Sequence, residues 1–150
     1  PISGLIGLVP GAAGSDYAHR VSAPIAKKGD RVVGLDTHVI LVPSPGGPVP
    51  TPIPHPFQGA ICDGLSTTVF VDNMAVAVVG SAASCSPPHV PMGGPFMRAP
   101  ANRGTISQGS AAIFADNKPV ARAGDPAKCC NDPADLDTGH VIAVGVVFAQ

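Results

Sequence analysis

The chain has 150 residues, room for one domain with a buried core, and its net charge of −1 offers nothing to nucleic acid or an anionic membrane surface. It is 45% hydrophobic, 13% charged and 4% aromatic, with 18 Gly and 18 Pro, which excludes a charge-rich disordered chain and predicts a β-rich, turn-dense globule. Its longest apolar stretches, Ile2 to Ala13 and Val141 to Ala149, are too short to span a bilayer.

Pro1 to Ala23 is Gly- and Ala-rich without a period and reads as an extension or docking arm; it lacks the basic start of a secretory signal. Residues 24–150 read as the single folded domain. Thr37 to Val42, THVILV, is a β-type apolar run stopped by Pro43. The proline-dense stretch from Pro43 to Gly59 predicts an extended, polyproline-like loop, because proline cannot donate to a β-ladder. Thr67 to Val71 and Met74 to Gly80 read as two strands around Asp72-Asn73, residues that tolerate the left-handed angles of a tight hairpin. Ser86 to Asn102 predicts a second Pro/Gly-rich loop. A second hairpin is expected around Asp116-Asn117, then a polar loop at CCNDPADLDTG, and HVIAVGVVF as one closing strand. No segment of ten or more residues shows a helical stripe, so little helix is expected.

The chain also repeats itself. Leu65 to Cys85 and Gly109 to Cys129, 44 positions apart, are identical at nine of 21 aligned positions, among them Phe70/Phe114 and Gly80/Gly124. A shorter echo is PIAKKGD at Pro24 to Asp30, against PVARAGD at Pro119 to Asp125. Repeated units rarely bury their own apolar faces and pack on their copies. The expected fold is therefore all-β: one body of short hairpins with approximate threefold symmetry and long Pro/Gly-rich loops.

With no Trp and few aromatics the core should be thin, so a further staple is expected. Candidate ligands are His38, His55, His89, His140 and Cys130; nitrogen and sulfur donors in fours suit tetrahedral, structural zinc. No short C-x2-C or H-x3-H spacing supports this, and scattered surface histidines would look the same. Cys85 and His89, four residues apart, are the nearest local pair. Two rivals follow from the same residues. One is a zinc hydrolase or effector using a three-histidine site with Asp132 and Asp135, although these aspartates also suit turn caps beside proline. The other is a disulfide-stapled β-module for surface attachment. Neither a G-x-S-x-G elbow nor an H-E-x-x-H helix motif occurs, and the chain has no Glu.

The cassette ending Pro119-Val120-Ala121-Arg122-Ala123-Gly124-Asp125, with the looser Pro24-Ile25-Ala26-Lys27, resembles the PAAR-repeat proteins. THVILVP, PTPIPHPFQG, PPHVP, APANRGTI and CNDPAD, in that order, resemble the PAAR-like tip proteins of contractile injection systems. The resemblance spans roughly residues 24–147. It implies a small conical β-structured body that is not an enzyme. Its base would cap a trimeric, VgrG-like β-helical spike, one tip per trimer, in type VI secretion or phage-tail-like injection particles. It also implies one ion near the apex, zinc or else iron, held by His38, His55, His89 and Cys130, with Cys129 as the other candidate sulfur and His140 as the reserve nitrogen. Such a particle is assembled in the bacterial cytoplasm and delivered outward to pierce a target membrane. No toxin domain is expected after the last strand, so cargo would ride by adaptor binding, through residues 1–23 among other routes.

Overall fold

The Asp-Asn pairs fold as their chemistry dictates. Asp72 and Asn73 (φ 53° and 61°) and Asp116 and Asn117 (φ 51° and 63°) all take left-handed angles, the requirement of a two-residue turn that matches strand twist. A computed structural model of the chain describes residues 22–150, all of it strand, turn and loop. The extension expected over residues 1–23 lies outside the described residues except for Ser22 and Ala23. The two turns close the ribbons β4 (Phe70–Val71) with β5 (Met74–Ala75), and β8 (Phe114–Ala115) with β9 (Lys118–Pro119).

The third ribbon is made by the two ends of the chain. β1 (Ala23–Pro24) pairs with β12 (Phe148–Ala149), and Phe148 stands opposite Pro24 as Phe70 stands opposite Ala75 and Phe114 opposite Pro119. The degenerate echo at Pro24 is thus half of a full copy, and its other half is the last strand. HVIAVGVVF is accordingly not one strand. It divides into the end of β11 (Leu136–Ile142), a connection, and β12. The reason is that Phe148 belongs to the repeat and must return to the ribbon position.

After each ribbon the three copies join in a closed ring. Ala26 N–H donates to the Ala121 carbonyl, Ala121 to Ala77, and Ala77 to Ala26, each at 2.9 Å. All three alanines are fully buried where the three backbones converge. A G-D or G-S turn follows in every copy. Asp30 accepts from Lys27 N–H, Asp125 from Arg122 N–H, and Ser81 from Val78 N–H, at 3.0, 2.7 and 2.9 Å. The serine of the middle copy does the work of its aspartate partners.

Above the ring stands a closed six-stranded barrel. It comprises β2 (Arg31–Val42), β3 (Val49–Asp63), β6 (Ala82–Cys85), β7 (Arg103–Ile106), β10 (Pro126–Cys129) and β11, in the order β10-β11-β2-β3-β6-β7. Its interior is filled by Val32, Phe57, Ile61, Ala83, Ile106, Ala127 and Val141, mostly small side chains around one phenylalanine. The core is as thin as the composition predicts. All four cysteines are free, so no disulfide staples the barrel.

The proline run departs from expectation. Val49 to Asp63 is a 15-residue strand, and its pairing with β2 runs from Arg31↔Ala60 to Val42↔Val49. Only the connection from Pro43 to Pro48 remains a turn. The reason is period: Pro50, Pro52, Pro54 and Pro56 occupy alternate positions. Ile61 N–H points to β2, where Asp30 accepts it at 2.8 Å, and the Gln58 carbonyl points the opposite way, accepting Ser86 N–H at 2.8 Å. Odd residues of β3 therefore bond β2 and even ones face away. Every missing donor falls on the side that β6, paired only with Gly59 to Asp63, does not reach. Proline is tolerated on such an edge, where it also denies a docking row to foreign strands. Pro52→Thr with Pro54→Thr restores two donors and should promote self-association, seen as a faster-sedimenting species at matched concentration. An unchanged sedimentation profile would refute this.

The pairs from Leu35↔Pro56 to Val42↔Val49 lie beyond the barrel, so this hairpin continues for about 27 Å of strand after the last barrel pairing. Residues 95–97 cover the free edge of β2, with Leu41 N–H donating to Pro95 and Met97 N–H to Val39, and Gly94 is wedged against the Leu41 carbonyl where no Cβ fits.

Candidate metal centre

Each copy of the repeat leaves the ring, climbs one side of the barrel, and delivers a potential ligand at the far end. β2 brings Asp36 and His38 on its inward face, the loop after β6 brings His89, and Cys130 follows β10 directly. β3 returns His55 opposite Asp36 in the ladder. The residues meet just past the barrel mouth, above Phe57, whose ring centroid lies 6.0 Å from that of His89.

The three histidine rings face one another, with centroids 4.8 Å apart for His38–His89, 5.4 Å for His38–His55 and 5.7 Å for His55–His89. Cys130 Sγ lies 3.9 Å from His38 Nε2 and 3.4 Å from Asp36 Oδ2. One ligand atom from each of Asp36, His38, His89 and Cys130 lies within 4.8 Å of the other three, so this buried cluster could hold a metal ion. The structure thus brings together all four residues expected at the site. It places three of them in the tight cluster and His55 beside it.

The fit to a cation rests on an orphan. His55 Nδ1 donates to the Ile53 carbonyl at 2.8 Å, which leaves the lone pair on Nε2. That Nε2 is buried without a hydrogen-bond partner, and the residue is only 2% exposed. A buried polar atom left unpaired costs about 1–3 kcal/mol, and an ion would use the lone pair. His38 carries a second orphan: its Nδ1 lacks a hydrogen-bond partner, 3.5 Å from Asp132 Oδ2, while its Nε2 faces Cys130. Burial, and after it the neighbouring His89, lowers the His38 pKa, which favours the neutral imidazole that metals bind. Burial pushes the Cys130 thiol up to about 11. A metal would reverse this and hold the thiolate.

Asparagines fix the loops. Asn102, in a left-handed conformation (φ 55°), accepts His89 N–H at 2.8 Å. Buried Asn131 accepts Thr37 N–H at 2.7 Å and donates to Thr138 Oγ1 at 3.0 Å, tying the Cys130 turn to β2 and β11. Asp132 is more than a turn cap. Its carboxylate accepts Val39 N–H at 2.9 Å and pairs with Arg98 at 2.9 Å, and the chain there is bonded to Thr37. Burial alone would raise the Asp132 pKa; the Val39 amide, His38 and Arg98 outweigh it and hold it low. Asp135, by contrast, is exposed.

The remaining candidates sit elsewhere. His140 is exposed on β11 opposite Val33 and Pro126. Cys129 points into the barrel, where its Sγ would lie 2.5 Å from a Cβ on Gly139, and burial raises its pKa to about 12. Cys85 donates to the Pro87 carbonyl at 3.3 Å, and Cys62 is exposed. Repeat equivalence pairs Cys129 with Cys85 in barrel packing, and it is the residue after the strand that reaches the site. Asp36 went unread in the sequence. The available signal was its spacing of two from His38, which puts both on one face of a strand.

The PAAR motif model matches residues 41–132, which is more than half of the chain and spans His55, His89 and Cys130. No curated protein matches the chain closely enough to count as a relative. The repeated ribbons, the ring and the buried His/Cys cluster are the body on which that match falls, and the chain belongs to the PAAR motif family.

Proposed function

We propose that this chain is the tip of a contractile injection system: a non-enzymatic point that caps a trimeric, VgrG-like β-helical spike, one copy per trimer, and meets the target membrane first. The observation behind this reading is a threefold set of exposed apolar residues on one chain. Phe70, Phe114 and Phe148 occupy equivalent ribbon positions and are 57%, 56% and 53% exposed; Val69, Ile113 and Val147 precede them, also exposed. Three aromatic side chains repeated about one axis, at the end of the barrel away from the histidines, suit a trimeric partner that offers three like sites. At the opposite end the projecting hairpin has no charged residue from Thr37 to Cys62. That favours a point that must enter a low-dielectric layer.

In this reading His38, His55, His89 and Cys130 hold one structural ion, zinc in preference to iron, at the root of the hairpin. The bound ion would supply folding energy on the order of 10 kcal/mol. The residues alone align the donors. Ile53 fixes the His55 tautomer, and Asn102 sets the His89 backbone. Asp132 is engaged by Val39 and Arg98, which favours anchoring over acid–base work. The particle would be assembled in the bacterial cytoplasm and delivered outward, with cargo joined through residues 1–23.

Co-expression with a trimeric spike protein tests the reading. The parent should co-purify at one tip per trimer, and Phe70→Ser/Phe114→Ser/Phe148→Ser should lower the affinity at least 100-fold while keeping the zinc content. Three tips per trimer, or full binding by the triple variant, would overturn it.

A further inference from the structure

Asp36 is fully buried, yet none of its partners is a permanent cation. Its carboxylate lies 3.0 Å from His89 Nε2, 3.4 Å from Cys130 Sγ and 3.1 Å from Thr138 Oγ1, and among the described residues no Lys or Arg pairs with it. An isolated carboxylate in such surroundings is costly unless a positive charge arrives to meet it. The three histidines and Cys130 alone do not answer that need. A divalent ion with one thiolate and three neutral imidazoles leaves a net charge of +1 in a buried pocket, and one carboxylate brings the total to zero.

Distances agree with the charge count. Donors sharing one zinc at about 2.0–2.3 Å in a five-donor shell, at angles of about 90–120°, stand roughly 2.8–3.7 Å from one another. The Asp36 oxygen, at 3.0 and 3.4 Å from its nitrogen and sulfur neighbours, is spaced like a donor. Its hydrogen bond to Thr138 holds the other oxygen, Oδ1, which leaves Oδ2 turned toward the cluster. Thr138 is itself tied to Asn131, so the β11 strand sets the carboxylate's orientation.

We infer that Asp36 is a direct donor to the ion, giving a centre of three nitrogens, one sulfur and one oxygen with no net charge. This rests on the metal-site reading above and adds a ligand that reading does not contain. Asp36 thereby balances the charge of the loaded centre, and it is a liability when the centre is empty.

The isosteric variant Asp36→Asn separates the two states. With zinc, competition against a chromophoric chelator should show affinity reduced about 10- to 100-fold. With chelator present, the variant should melt no lower than the parent, since a buried charge is gone. If the variant fails to fold, the parent decides. Its cobalt-substituted form should show the weak visible absorption of a five-coordinate ion, with sulfur-to-metal charge transfer retained. Parent affinity in Asp36→Asn, or intense tetrahedral absorption in the parent, would overturn the role of Asp36 while leaving the metal site standing. No stoichiometric binding of zinc or cobalt by the parent would instead defeat the metal-site reading itself.

Discussion

His55→Phe should stabilise one form of this protein and destabilise the other. Without metal, His55 contributes a buried nitrogen with no partner, and phenylalanine fills the ring's volume against Phe96, whose centroid is 5.4 Å away. The variant loses the Nδ1 bond to Ile53, worth about 1 kcal/mol, but it also removes an orphan whose cost is about 1–3 kcal/mol. In excess chelator its Tm should equal or exceed the parent's by a few degrees. With zinc the sign reverses. The ion provides stability on the order of 10 kcal/mol, and forfeiting about half of it should lower the Tm by about 15 °C. Differential scanning calorimetry with and without zinc reads both arms. Equal melting of parent and variant in zinc would remove His55 from the centre.

Gly34→Ala should be a strongly damaging single methyl group in the barrel wall. Gly34 faces Gly139 across the seam between β2 and β11, and the strands cross so closely that a Cβ on Gly34 would stand 2.6 Å from the Thr138 oxygen and 2.8 Å from the Gly139 Cα. Both atoms are backbone, so no side chain can rotate away. The strands must separate, which also moves Thr138 and with it Asp36. The cost should be about 3 kcal/mol, a fall in Tm on the order of 10 °C, accompanied by weaker zinc binding. Thermal melts and chelator competition on the one variant check both. A Tm within about 2 °C of the parent would show that the seam yields freely.

Much of this architecture was legible because its causes are local. The Asp-Asn turns announce themselves through the residues that accept left-handed angles, and the repeat exposes the symmetry before any coordinate is known. His38, His55, His89 and Cys130 stood out through the block pattern of a resembling family, and the fold draws them to one place. What stayed hidden depends on relations across the chain. The pairing of Ala23 with Ala149 joins residues 126 positions apart, and Phe148 looks like any terminal aromatic until its partner is known. The proline strand departs from what its composition predicts because parity decides: alternate prolines empty one edge and spare the other. Asp36 carries no local signal of burial, and only the closed barrel makes it dry.

The ring at Ala26, Ala77 and Ala121 gives the molecule a property useful at the bench. Any contact in that layer exists in triplicate under nearly the same surroundings, so one chain contains its own replicate measurements. Exchanging Ser81 for the aspartate found at positions 30 and 125, and each aspartate for serine, would report how far a single bond's worth varies when geometry is held fixed and only its neighbours change.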